Sequence, residues 1–193
     1  MRILKKSKKY GRTIALIDAA NIIYANKYLK WPLDHKKLID YLKTRYNCQE
    51  AVYYTGFEKG DRIRTNFYKK IRTFGFKVKT KEVVVFRGKF YWKHFNCPHC
   101  GQRIHKRFQG PPIKKANCDV DLTLDAKNKV KNYDTLLLFS GDGDFSDLVL
   151  DLKNRYGKKT LVFSSKKSCA RRLRQVAKAF IELHQLRSIL EVK

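Results

Sequence analysis

Thr13-Ile-Ala-Leu-Ile-Asp18 and Thr135-Leu-Leu-Leu-Phe-Ser-Gly-Asp142-Gly-Asp144 decide how this chain is read. Each opens with a short apolar run whose alternate residues are all apolar, the pattern of a strand buried on both faces. Each run goes straight into aspartate, and the first is followed at once by Asn21. Strands buried on both faces belong to parallel sheets, and such sheets take their ligands beyond the carboxyl ends of the strands.

Outward from these two segments the pattern alternates strand with helix. Asp34 caps a helix that carries Leu38, Ile39 and Leu42 towards Tyr46; residues 51–55 form a second strand; Asp61 to Thr73 is helical, with Ile63, Phe67 and Ile71 on one face; residues 76–80 form a third strand. The alternation resumes with a helix from Asp119 to Val130, the strand at Thr135, a helix ending near Tyr156, a strand from Lys159 to Ser164, a basic helix from Ser168 to Lys178 and a short last strand at residues 179–183. Repeated strand–helix units imply a Rossmann-like α/β fold, a parallel sheet with helices on both faces. Residues 1–12 read as a basic tail and 13–193 as a single domain, interrupted at about 83–117 by an inserted arm. The arm holds no acid and eight Lys or Arg; Val83–Phe86, the turn Arg87-Gly88-Lys89 and Phe90–Trp92 suggest a β-hairpin within it.

Composition narrows the function. Of 193 residues, 44 are Lys or Arg and 17 are acidic, a net charge of +27. That excess points to nucleic acid first and to a membrane surface second. No apolar run approaches the roughly 20 residues a membrane helix needs, and no apolar core follows the basic N-terminus, so a cytoplasmic protein is expected. Five cysteines, only two of them close together, do not make a disulfide framework.

Against this basic background 8 of the 17 acids lie between Asp119 and Asp151. Crowded carboxylates repel, and the pKa of one rises unless a cation sits between them. Asp18, Asp142 and Asp144 fall at strand ends, Asp119 opens a helix, and Asp121 and Asp125 share one helical face. Hard oxygen donors of this kind suit Mg²⁺ or Mn²⁺, so a metal site acting on a polyanion is expected. The plainer alternative is that Asp144, Ser146 or Asp147 merely caps the helix that follows.

Ile17-Asp18-Ala-Ala-Asn21, Lys115-Ala-Asn-Cys-Asp119-Val-Asp-Leu-Thr-Leu-Asp125, Leu138-Phe-Ser-Gly-Asp142-Gly-Asp144-Phe and Leu161-Val-Phe resemble, in that order, the NYN domain, a family of the PIN-like nuclease superfamily. The resemblance runs from Thr13 to about Leu183, with the arm as an insertion. It implies metal-dependent ribonuclease chemistry, with Asp18, Asp119, Asp142 and Asp144 as metal ligands, directly or through water. It further implies that Asn21 positions a ligand, a water or a phosphate, and that Asp125 is a weaker metal ligand. The chain departs from the family pattern in Val176-Ala-Lys178-Ala-Phe180, where relatives often carry Asp in place of Lys. Asp119-Val-Asp121-Leu-Thr123 also spells the nucleophile motif of haloacid-dehalogenase-type phosphatases. That motif ends a buried strand, which residues 112–118 do not form, so this reading is set aside.

Two further features belong to the arm. His94, Cys97, Cys100 and His105 could complete a tetrahedral zinc site, Cys-x-x-Cys with its Pro and Gly being half of one, with Cys118 or His99 as substitute ligands; the alternative is a reduced surface turn with solvated histidines. Lys89, Lys93, Arg103, Lys106 and Arg107 stand beside Phe90, Tyr91, Trp92 and Phe108, a combination suited to single-stranded nucleic acid. Lys5, Lys6, Lys8 and Lys9 of the tail and Arg171, Arg172 and Arg174 of the basic helix add further phosphate contacts. The reading is a Mg²⁺- or Mn²⁺-dependent endoribonuclease that hydrolyses single-stranded or structured RNA. Its rivals are an RNA-binding module with a degenerate site and a nuclease acting on DNA flaps. A homodimer is compatible with the sequence.

Overall fold

The computed structural model describes residues 8–22 and 30–192. Six strands form one parallel sheet: β1 (Thr13–Asp18), β2 (Cys48–Phe57), β3 (Lys77–Glu82), β8 (Thr135–Phe139), β9 (Lys159–Ser164) and β10 (Ala179–Glu182). Their order is β10-β9-β8-β1-β2-β3. The chain therefore builds outward from β1 through β2 to β3, returns to the other side of β1, and builds outward again. Helices α1 (His35–Tyr46) and α2 (Arg62–Thr73) accompany the first half; α3 (Asp119–Asn128), α4 (Phe145–Tyr156) and α5 (Arg171–Val176) accompany the second; α6 (Arg187–Leu190) closes the chain.

Right-handed crossovers force the reversal of direction to place the two helix sets on opposite faces. Alternation along β1 shows both packings. Ala15 and Ile17 join the core under α1, with Leu38, Ile39 and Leu42, whereas Ile14 and Leu16 join the core under α3 and α4, with Leu122, Phe145 and Leu152. Each wholly buried leucine of this kind contributes roughly 1.5–3 kcal/mol. Residues 19–22 are helical and carry Asn21 back over the end of β1.

Most expected elements appear, with shifts at their ends. Asp34 and Asp61 cap α1 and α2, each accepting from a backbone N–H three residues on. The basic helix is shorter than its pattern. The chain turns at Ser165, whose carbonyl accepts from Ser168 and Cys169, and Ala177 is already extended towards β10, which leaves six helical residues. Lys5 and Lys6 lie outside the described residues.

The arm differs from expectation in its pairing. Arg87-Gly88-Lys89 does not turn the chain. Strand β4 (Val84–Phe86) pairs with β7 (Ile113–Lys115), and β5 (Phe90–Asn96) pairs with β6 (Arg103–Gln109), both antiparallel. The segment is one long excursion, out through β4 and β5 and back through β6 and β7, with Cys97–Gly101 at its tip. Gly88 marks the joint between the two ladders: a Cβ there would lie 1.9 Å from the Gly110 carbonyl oxygen. Two adjacent apolar runs look like partners in sequence, but their true partners are more than a dozen residues away.

One packing detail has a pH consequence. His35, at the start of α1, packs edge-on against Tyr53, Phe67 and Phe76. Burial pushes its pKa down from 6.5 to about 4, against the opposing pull of Asp34 and a backbone bond at Leu33. Between those two values the unfolded chain binds a proton the folded chain refuses, so stability falls as pH drops through that window. The thermal midpoint of His35→Leu should therefore lose less than that of the wild type on titration from pH 7 to about 4; equal losses would exclude His35 as a source of acid sensitivity.

Candidate metal centre and nucleic-acid cleft

The sheet reverses its direction of growth between β1 and β8, and a crevice opens beyond their carboxyl ends. Asp18 ends β1 and is only 9% exposed. Its Oδ1 accepts from the Ala20 and Asn21 backbone N–H groups at 3.0 and 3.4 Å. Its Oδ2 accepts from Asn21 Nδ2 at 2.6 Å and from the Ser140 hydroxyl at 3.4 Å. Asn21 Oδ1 in turn accepts from Gly141 N–H at 3.0 Å. Asn21 thus bridges the two strand ends. Its side-chain amide orients Asp18, and Asn21 also lines the cleft described below.

Beyond β8 the chain makes a tight loop. Ser140 accepts from Asp142 N–H, and Asp142 Oδ1 accepts from Asp144 N–H at 3.0 Å. Gly141 is required by close approach: a Cβ there would lie 2.7 Å from Ser164 Oγ and 2.8 Å from the Ser168 carbonyl. Asp144 stands at the head of α4 but makes no side-chain capping bond, so the capping alternative does not account for its carboxylate. Ser140, quoted in the sequence motif without a role, proves to be a link between Asp18 and the loop.

Asp119 opens α3, its backbone N–H bonded to Asn117 Oδ1 at 2.8 Å. Its carboxyl is held above the usual carboxylate range by burial first, then by the charges of Asp18 and Asp142, with Asp144 a smaller contributor and Asn117 opposing. Groups from widely separated parts of the chain therefore feel one another. Asp18, Asn21, Asp119 and Asp142 line a cleft of about 570 Å³, together with Tyr54, Arg64, Tyr68, Cys118 and, from the foot of the arm, Lys114 and Lys115. Asp144 sits at its margin, outside the lining. Nothing in the sequence pointed Arg64, Lys114 or Lys115 to the cleft, because only the folded arm and α2 bring them here.

The ion pairs separate this group from the other acids. Asp121 pairs with Lys81, Asp125 with Lys79, Asp134 with Arg12, Asp147 with Arg172, and Asp151 with Lys127 and Arg155. No described lysine or arginine pairs with Asp18, Asp119, Asp142 or Asp144. Three carboxylates around one cleft and a fourth at its rim, without described countercharge in a chain of +27, fit a hard divalent cation. Among the described residues, which include every His, Cys, Asp and Glu of the chain, no three such groups close on a single point. Mg²⁺ tolerates that arrangement, since it commonly keeps several waters and uses one or two carboxylates.

Asp125 is a correction. Its carboxylate accepts from the Tyr54 hydroxyl at 2.5 Å and from Lys79 at 2.8 Å, so it is engaged away from the cleft. Burial works against its ionised form, but Lys79 and Tyr54 outweigh burial and lower its pKa. On the basic helix, Arg172 is held by Asp147 and Arg174 packs over the Phe180 ring, which leaves Arg171 as the one of the three with no described partner. Lys89, Lys93, Arg103, Lys106 and Arg107 are all exposed on the arm.

The NYN domain model matches residues 12–184. The chain belongs to the NYN domain family. The low amplitude and bright protein LabA of Synechococcus elongatus is 30% identical over 183 residues, covering 94% of this chain and 88% of that protein. The crystal structure of a protein of unknown function from Vibrio parahaemolyticus superposes with a TM-score of 0.68 at 22% identity, covering 92% of this chain and 96% of that one. The NYN family lies within the PIN-like nuclease superfamily, and the central sheet here is the α/β fold expected of an NYN domain.

Tyr54→Phe should cost about 1–3 kcal/mol, because a carboxylate loses its buried donor. A shifted urea midpoint at unchanged slope would report this, whereas no shift would show that Lys79 alone satisfies Asp125.

Proposed function

We propose that this NYN domain is a divalent-metal-dependent endoribonuclease whose centre is Asp18, Asp119, Asp142 and Asp144. The observation that carries the reading is that Asp18, Asp119 and Asp142 line one cleft at the β1–β8 crevice, with Asp144 beside it, and that no described lysine or arginine pairs with any of them. A bound Mg²⁺ or Mn²⁺ would lower the pKa of a water and offset the charge that builds on phosphorus during attack.

The protein's own groups do the rest. Asp18 is oriented by four donors, Asn21 chief among them, so its oxygens need little reorganisation when substrate arrives. Asp119 faces the same space; burial and the charges of Asp18 and Asp142 hold its carboxyl above the usual range, a repulsion that a bound cation would relieve. The water oxygen forms a bond to phosphorus, one P–O ester bond of the chain breaks, and the water's proton ends, through solvent, on the leaving oxygen.

RNA is gripped by cations at the mouth and along the arm. Lys115 and Arg64 line the cleft and suit phosphates on either side of the scissile one. On the arm, Phe90, Trp92 and Arg107 share one face of the β5–β6 ladder, with the Arg107 guanidinium 3.9 Å from the Phe90 ring centre. Tyr91 and Phe108 stack on the opposite face, flanked by Lys93 and Lys106. Exposed rings with interleaved cations suit unpaired bases and their phosphates. No described helix is long and apolar enough to cross a membrane.

The test is cleavage of labelled single-stranded RNA with Mn²⁺ or with EDTA, beside a DNA of the same sequence. Wild type should cut RNA only with the metal. Asp142→Asn should lose roughly a hundredfold or more in rate while keeping its RNA affinity; undiminished cleavage by this variant would refute the assignment. Trp92→Ala should weaken RNA binding by about 1–3 kcal/mol, with the rate at saturating RNA preserved. A binding constant indifferent to salt would exclude the phosphate grip.

A further inference from the structure

The tip of the arm stands apart from the sheet and from the carboxylate centre. Cys97 N–H donates to the Gln102 carbonyl and Gly101 N–H to the Cys97 carbonyl, which closes a tight turn over Cys97-Pro98-His99-Cys100. Gly101 has φ +71°, a conformation that glycine adopts without strain. Both cysteines are free, Cys100 is exposed, and Cys97 is only partly covered. The backbone N–H groups of Cys100 and His99 face the Cys97 sulfur, and the Cys100 thiol lies within reach of it. Two adjacent sulfurs cradled by backbone N–H groups are half of a tetrahedral zinc site, because zinc takes thiolates and the cradle stabilises them.

The other half is not in the chain as folded. His94 and His105 sit directly opposite each other on the ladder, their rings edge-on at 4.2 Å between centres, two positions below the last pair before the turn. Cys118 is at the foot of the arm, lining the carboxylate cleft. Every His, Cys, Asp and Glu of the sequence lies among the described residues, and no group of three or more of them is placed to hold an ion.

The arm also lacks a core. The whole of β5 and nearly all of β6 are exposed, and a lone two-stranded ladder is marginal in water. Tyr91, Phe95, Ile104 and Phe108 share one side of it with Lys93 and Lys106. An ion at its tip, shared with an identical tip, would steady this element.

We infer that Cys97 and Cys100 bind one Zn²⁺ jointly with the same two cysteines of a second copy of this chain, giving a four-thiolate centre on a two-fold axis. An isologous contact of this kind needs only one patch and fixes the stoichiometry at half an ion per chain. Charge does not oppose it. A zinc ion with four thiolates is net negative, and Arg103 stands in the last ladder pair before the turn, with Lys93 and Lys106 three pairs below it, so the centre offsets part of the repulsion between two cationic arms. No bond to carbon or change of oxidation state is involved; each thiol gives up its proton on binding. The inference does not rest on the nuclease reading, since the centre is built from different residues.

The experiment is zinc analysis and sedimentation equilibrium on the full-length protein reconstituted with Zn²⁺, then repeated with Co²⁺. The expected result is half a metal ion per chain, a dimer that dissociates on chelation, and a Co²⁺ spectrum of four sulfur ligands. Cys97→Ser/Cys100→Ser should bind no zinc and remain monomeric, with a circular-dichroism spectrum unchanged from that of the metal-free wild type. His94→Ala/His105→Ala should keep both the metal and the dimer. One zinc per monomer, lost with the two histidines, would overturn the shared centre in favour of a site within one chain. Failure to retain zinc, or a dimer that persists unchanged in the double serine variant, would overturn it outright.

Discussion

Asn21 joins the end of β1 to the end of β8. Its amide nitrogen donates to Asp18 and its amide oxygen accepts from the Gly141 backbone, while Ser140 reaches Asp18 from the same side. Carboxylates placed near one another repel, and a loop carrying Asp142 and Asp144 would swing away from Asp18 if nothing tied it down. The amide bridge supplies that tie with neutral groups, so negative charge accumulates at the crevice without a salt bridge to cancel it. Gly141 completes the arrangement, since only a residue without a side chain lets the loop pass so close to Ser164 and Ser168.

The position of this knot follows from topology. The sheet grows from β1 to β3, then from β8 to β10, and only at the β1–β8 boundary do neighbouring connections leave towards opposite faces. That divergence opens the crevice, and α3, entering from the arm, delivers Asp119 to its rim. The remaining acids of the segment from Asp119 to Asp151 are drawn into ordinary ion pairs with Lys79, Lys81, Lys127, Arg12, Arg155 and Arg172. A protein so rich in lysine and arginine has cations available nearly everywhere. Leaving one group of carboxylates without a described partner is therefore an informative feature of its electrostatics.

The arm is built by a different principle. Its strands are not specified by a core but by the run of β-formers Phe90-Tyr-Trp-Lys-His-Phe and by two glycines that let the backbone cross itself at Gly88 and Gly110. Because neither face is covered, its aromatic and cationic side chains remain available on both. The foot of the same arm supplies Lys114 and Lys115 to the cleft, so one insertion reaches from the carboxylate centre out to the cysteine turn.

The parallel sheet, its order of strands and helices, and the aspartates at the strand ends were legible in the sequence, because burial on both faces and helical spacing leave local signatures that need no partner to be read. Asp18, Asn21, Asp119, Asp142 and Asp144 stood out for the same reason: each sits at the boundary of an element whose limits its neighbours announce. What only the tertiary structure decided was pairing. Asp125 lies one helical turn beyond Asp121, near enough to the centre in sequence to look like a ligand, yet Tyr54 and Lys79 from other strands claim it. Arg172 and Arg174 look like free cations until Asp147 and Phe180 meet them. The ladders of the arm join residues far apart in the chain, and so do the bonds that make Asn21 a bridge. A local pattern records which side of an element is buried; which partner lies against it depends on contacts between distant segments, and those exist only once the chain has closed on itself.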